Sequence, residues 1–173
     1  AYKEQEVLNN LKRIGHIELP EVTPIAAAPE AYFYRNKMEF SFSDSRWLTP
    51  EEIQEKDTIE DRNALGFHIP GMWDKILDIK KCHLQADPSN EMRLFVKRFA
   101  IAEGITFFNP RNHTGELRTL MIRTSSNGEY MVLIQFCENN ESNRIKLLEA
   151  IKNQFPSITS LQYVINQKAN DTI

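Results

Sequence analysis

The side chains in this sequence best suited to chemistry are basic ones near the ends of strand-like runs. Arg35 precedes and Lys37 begins one alternating segment, while Lys80, Lys81, Arg111, Arg118 and Arg123 fall at other strand ends or in loops. Such positions leave guanidinium and ammonium groups open to solvent, where they can meet phosphate oxygens through charge-assisted hydrogen bonds. Taken singly, each reads first as a solvated surface charge. Tyr32, Phe33 and Tyr34 beside Arg35 are of the type that stacks on bases, although aromatics just before a strand more often enter a core.

Other constellations do not form. His16, His68, His83 and His113 are scattered, and Cys82 and His83 are adjacent rather than spaced to clasp one zinc ion. Gly66, Gly71, Gly104, Gly115 and Gly128 read as isolated turn residues, not as a phosphate or nucleotide loop. Cys137 ends a strand with no base near it in sequence, which suits a structural thiol. Without a nucleophile and its base, an independent enzyme is not expected.

Composition narrows the partners. The formal net charge of -3 excludes a uniformly basic surface, so any contact with nucleic acid must be local. Two cysteines without framework spacing fit a reducing cytoplasm better than a secreted disulfide scaffold. No segment approaches the roughly 20 apolar residues needed to span a bilayer, and no signal-peptide pattern opens the chain. A soluble cytoplasmic protein with no membrane partner is expected. Ala1 lies directly inside a helical pattern and Asn170 to Ile173 follow a strand-like run, so both ends read as cut.

The elements that must position these residues follow from periodicity. Val7, Leu8, Leu11 and Ile14 share one face of a helix over 2–14 that Gly15 can end, and Pro20, Pro24 and Pro29 mark an extended connector. Residues 1–29 therefore form a first segment and 30–173 a second. Met38, Phe40 and Phe42 alternate with Lys37, Glu39, Ser41 and Ser43, as in a half-buried strand. Thr49-Pro50-Glu51-Glu52 spells a capping box opening a short helix to about Glu55.

Strands over 64–68 and 75–79 flank Pro70-Gly71, which suggests a hairpin. Asp87-Pro88 opens a helix with Met92, Phe95, Val96 and Phe99 inside and Arg93, Lys97 and Arg98 outside. Strands over 116–124 and 129–136 join through Asn127-Gly128, expected at positive φ. Ser142 begins a last helix with Ile145, Leu147, Leu148 and Ile151 inside, and 158–165 returns as a strand. The predicted fold is α+β, an antiparallel sheet with helices on one face. From Lys75 onward it follows a ferredoxin-like β-α-β-β-α-β order, with preceding strands and an N-terminal helix added.

Several motifs carry a more specific likeness. Tyr34-Arg35-Asn36-Lys37 with Glu39-Phe40, then Leu65-Gly66-Phe67-His68, then Asp78-Ile79-Lys80-Lys81-Cys82, follow the order seen in the RNA uracil-5 methyltransferases. "GELRTLMIRTSSNGEYMVLIQF" resembles that family's paired-strand segment, and "NQKAND" the asparagine-containing stretch before its catalytic domain. The resemblance covers nearly the whole chain and matches the family's linking helix and central domain.

The resemblance implies an S-adenosylmethionine-dependent parent that methylates C5 of a uridine, in 23S ribosomal RNA in preference to transfer RNA. It implies that this piece binds RNA and is inactive alone, since the family's catalytic cysteine, base and donor-binding loop have no counterpart here. It places Arg35, Lys37 and Glu39 on a strand face turned toward RNA, and with Arg118 and Arg123 these make the expected RNA-binding set. The helix over 2–14 would pack on the absent methyltransferase domain of the same chain. Cys82 resembles the last of four ligands to a 4Fe-4S cluster found in many members, with the other three absent here. The competing reading is a ferredoxin-like regulatory or protein-interaction module without enzymatic activity.

Overall fold

The computed structural model describes residues 2–54 and 61–168. Two units divide the chain, residues 1–31 and residues 32–173. In the first unit, α1 (Tyr2–Asn9) continues as a π-helical turn over Asn10–Ile14, where the Gly15 N–H closes on the Asn10 carbonyl at 2.9 Å. Gly15 itself stays right-handed at φ -77, and His16 beyond it takes a positive φ of 49. No residue of this helix is buried, and Val7, Leu11 and Ile14 are exposed.

The second unit is built on six strands: β1 (Lys37–Ser43), β2 (Ala64–Ile69), β3 (Met72–Leu77), β4 (Leu117–Thr124), β5 (Tyr130–Phe136) and β6 (Ile158–Ile165). They form one sheet in the order β3-β2-β1-β4-β5-β6. The α+β class is as expected, but the ferredoxin-like order is not found. The split arrangement would separate strands joined through a helix, whereas here β6 is the immediate parallel neighbour of β5. The connection between them is α4 (Glu141–Gln154), which supplies the crossover that a parallel pair requires. The remaining pairs are antiparallel.

β1 reads as its alternation predicts. Met38, Phe40 and Phe42 are buried, and they join Leu120, Ile122, Val132 and Ile134 in a core closed by Met92, Val96 and Ala100 of α3 (Ser89–Ala102) and Leu147 and Ile151 of α4. Each such side chain contributes about 1.5–3 kcal/mol by leaving water. Asp87 caps α3 by accepting the Asn90 N–H at 3.2 Å, and Asn140, two residues before the expected Ser142, caps α4 through the Asn143 N–H.

Four side chains or turns depart from expectation. Arg93 is fully buried: its guanidinium donates to the Leu65 carbonyl at 3.0 Å and the Lys80 carbonyl at 3.3 Å, and lies 5.6 Å from the Phe40 ring centroid. Carbonyls at the strand margins thus draw a cation inward, and Ile145, expected inside, is exposed. Gly66 lies within β2, not in a turn, where a Cβ would meet the Leu77 carbonyl oxygen at 2.0 Å. In the β4–β5 turn, Gly128 alone takes positive φ and its N–H donates to the Ser125 carbonyl at 3.2 Å, so Asn127 stays in ordinary space.

The short α2 (Pro50–Gln54) begins as the capping box dictates. The Glu52 N–H donates to Thr49 Oγ1 at 3.2 Å, and the Thr49 N–H donates to Glu52 Oε2 at 2.9 Å. Its expected last residue, Glu55, and the second half of the "NQKAND" stretch, 169–171, lie outside the described residues. Among the described residues, no helix is long and apolar enough to cross a membrane.

Candidate nucleic-acid interface

With α3 and α4 on one face of the sheet, the polar residues of β1 look out from the other. Antiparallel register sets Lys37 opposite Arg123, Glu39 opposite Met121 and Ser41 opposite Thr119. Lys37 and Arg123 are both exposed. Like charges directly opposite one another on neighbouring strands repel. Glu39 relieves part of that repulsion by pairing with Lys37 at 2.8 Å, but both partners are nearly half exposed and solvent weakens the pair. Arg35 is exposed next to this strip, its backbone fixed by an N–H bond to the Leu84 carbonyl at 2.8 Å.

Arg118 stands apart from that strip. A register irregularity between Leu117 and Thr119 leaves it outside the β4–β5 ladder, a common way for a strand to re-aim a side chain. Its guanidinium lies 5.0 Å from the Phe108 ring centroid and donates to the Lys168 carbonyl at 2.8 Å. The five expected RNA-facing residues therefore fall into two places, with Lys37, Glu39 and Arg123 in adjoining positions and Arg118 largely buried.

Arg118 and Glu39 also line a concavity of about 530 Å³ that sequence reasoning did not locate. Ser41, His68, Trp73, Asp74 and Phe108 share its lining. Ser41 Oγ and His68 Nε2 are 3.2 Å apart. Arg111, read as a phosphate candidate, instead donates from Nε to Asp74 at 2.6 Å and sits 5.8 Å from the Trp73 ring centroid. That hydrogen bond holds the Asp74 carboxyl below its usual value, against an opposing push from burial. No sequence signal joins Asp74 to Arg111 or Ser41 to His68, because both pairs depend on strand register and loop placement.

The aromatic run before β1 is exposed, contrary to the core expectation. Tyr32 and Phe33 have ring centroids 5.7 Å and 6.3 Å from that of His83. The Phe33 N–H donates to the His83 carbonyl at 2.9 Å, which ties the run to the loop bearing Lys81 and Cys82.

The two thiols do not make a catalytic or cluster site by themselves. Cys82 is buried, and its backbone N–H and carbonyl are both held by the Asn90 side chain. Cys137 is buried at the end of β5, where burial pushes its thiol pKa up, with Arg118 opposing. Among the described residues, no group of three or more His, Cys, Asp or Glu is placed to hold a metal. The residues present therefore do not fit a four-thiolate cluster.

Comparison with known proteins supplies the context for this surface. No protein-family model matches the chain. A Porphyromonas gingivalis protein named as an uncharacterized RNA methyltransferase is 51% identical over 176 residues, covering 99% of this chain and 38% of the relative. A Bacteroides thetaiotaomicron protein of the same description is 50% identical over 175 residues, with the same coverage of each. This chain is homologous to a segment of bacterial proteins named as uncharacterized RNA methyltransferases.

A Chlorobaculum tepidum RNA methyltransferase, also described as uncharacterized, is 39% identical over 133 residues, 76% of this chain and 28% of its own length. Among solved structures, the Pyrococcus abyssi tRNA (uracil-54, C5)-methyltransferase bound to S-adenosyl-L-homocysteine superposes with a TM-score of 0.62 at 23% identity. The match covers 99% of this chain and 36% of that one. The fold of this chain is thus similar to that of part of that solved protein. The chain spans 38% of the length of the first two relatives, so it corresponds to a minor part of each.

Proposed function

We propose that this chain is the RNA-binding central segment of an S-adenosylmethionine-dependent RNA uracil-5 methyltransferase, and that methyl transfer belongs to the rest of that protein. The observation that carries this reading is the exposed Lys37–Arg123 cross-strand pair, whose mutual repulsion a phosphate would relieve. The relatives' RNA methyltransferase names and the methyltransferase fold of the solved neighbour support it. S-adenosylmethionine would bind outside this chain and supply the methyl group. The uridine must leave its stack before C5 can react, which gives a separate RNA-holding segment a purpose.

Two further assignments belong to the same reading. The exposed Val7, Leu11 and Ile14 suit packing on the methyltransferase domain. Cys82 would serve as a 4Fe-4S ligand only with three thiolates from elsewhere in the protein.

The test is methyl transfer from radiolabelled S-adenosylmethionine to 23S ribosomal RNA and to transfer RNA, measured with this chain and with the longer protein. Label appearing at C5 of uridine with the longer protein alone is the expected result, with ribosomal RNA the better substrate. Label transferred by this chain alone would overturn the division of labour.

A further inference from the structure

The concavity beside the basic strip has the wrong chemistry for a phosphate. Its two carboxylates are already paired, Asp74 with Arg111 at 2.5 Å and Glu39 with Lys37 at 2.8 Å. Arg118 adds one guanidinium that is laid on Phe108, where a polyanion would call for a convergent cluster of cations. What the lining offers instead is aromatic surface and hydrogen-bonding groups without excess charge. Trp73 is 62% exposed at the rim, with Arg111 over its ring. Phe108 lies within, and Ser41 and His68 face each other across β1 and β2.

The Ser41–His68 pair is amphoteric. If the Ser41 hydroxyl donates to Nε2, its oxygen keeps two lone pairs; if Nε2 carries the proton and donates, Ser41 keeps its O–H and one lone pair. An acceptor is present in either tautomer, and so is a donor, the His68 Nδ1–H in the first and the Ser41 O–H in the second, which suits the mixed edge of a nucleobase. The volume of about 530 Å³ falls in the range of small-ligand pockets, roughly 300–1,000 Å³, and admits one planar base.

We propose that this pocket receives one unstacked nucleobase of the bound RNA, held between Trp73 and the Ser41–His68 pair, while the neighbouring Lys37–Arg123 strip takes the backbone phosphates. The inference rests on the RNA-binding reading and adds to it a base site distinct from the phosphate strip.

The two sites separate by salt dependence. Stacking one base is worth enough that Trp73→Ala should weaken binding of a labelled single-stranded 10-mer RNA at least about fivefold. The slope of log affinity against log salt should not change, because no charge is removed. His68→Ala should act in the same direction. Both side chains are exposed, so the variants should keep the wild-type circular dichroism and melting temperature.

In 15N–1H spectra, the 10-mer should shift the Trp73 indole N–H and leave that of Trp47 in place. Uridine 5′-monophosphate and adenosine 5′-monophosphate serve as separate arms. Shifts with the 10-mer far below the concentration at which either mononucleotide acts support an RNA-borne base. Saturation by a mononucleotide that the 10-mer does not displace overturns that source. If the 10-mer binds with the expected salt slope but Trp73→Ala binds as wild type and its resonance stays fixed, the pocket proposal fails and the RNA-binding reading survives. If no RNA binds at all, both fall.

Discussion

Lys37 on β1 and Arg123 on β4 stand directly opposite each other in an antiparallel ladder, both exposed, and the half-exposed Glu39 pairs with Lys37 to offset part of their repulsion. A fold with no ligand for this face gains nothing from two facing cations. Removing either one should leave the stability unchanged or raise it slightly, by about a few tenths of a kcal/mol, since like charges opposite one another are destabilising. Thermal melts of Lys37→Ala and Arg123→Ala check this. A loss of more than about 1 kcal/mol would mean that the pair has a structural role instead.

Among the described residues Arg93 is the largest fully buried side chain, and its bonds to the Leu65 and Lys80 carbonyls tie α3 to β2 and to the segment before Cys82. Burial pushes its pKa down, while Asp78 and Cys82 push it back up. Arg93→Ala leaves the buried Leu65 carbonyl and the part-buried Lys80 carbonyl short of a donor and opens a cavity beside Phe40, and it should cost about 2–4 kcal/mol. Arg93→Lys should rescue little, because an ammonium cannot span both acceptors as the planar fork does. Chemical denaturation measures both.

Asp74 and Arg111 make a prediction about pH. The folded-state pKa of Asp74 is lowered, chiefly by the hydrogen bond from Arg111. The pair's contribution to stability is therefore complete above the ordinary aspartate value of 3.8 and is lost as pH falls through the lower folded value. Carboxyl 13C titration should find Asp74 below 3.8 in the native chain and shifted upward in Arg111→Ala. An unchanged midpoint in that variant would show that the bond does not form in solution.

Cys82 and Cys137 are both buried, and the Cys137 thiol is held protonated by burial. Alkylation at neutral pH should be slow in the native chain and should reach both thiols on denaturation. Rapid native labelling of Cys137 would contradict its structural role.

Much of the fold was legible where one local rule suffices. The alternation over 37–43, the Thr49–Glu52 capping box, the Pro70-Gly71 turn and the strand over 158–165 depend on neighbours in sequence, and each is found. What failed depends on partners far along the chain. Arg93 looked solvent-facing because nothing local reveals that the Leu65 and Lys80 carbonyls await a donor. The ferredoxin-like order failed because the sequence of elements does not state that β6 settles parallel beside β5. The candidate site divides the same way: Lys37 and Glu39 share a face by period, whereas Arg123 meets Lys37 only through register, and the Ser41–His68 pocket only through the β1–β2 pairing.

The central claim is that this segment binds RNA through the Lys37–Arg123 strip, and salt dependence tests it most directly. Binding of a structured RNA is measured across ionic strengths for the chain and for Lys37→Ala, Arg123→Ala and the double variant. The account predicts that affinity falls linearly with salt on logarithmic axes, that each substitution reduces the slope by about 1, and that the double variant reduces it by about 2. Equal slopes for all four proteins would contradict it.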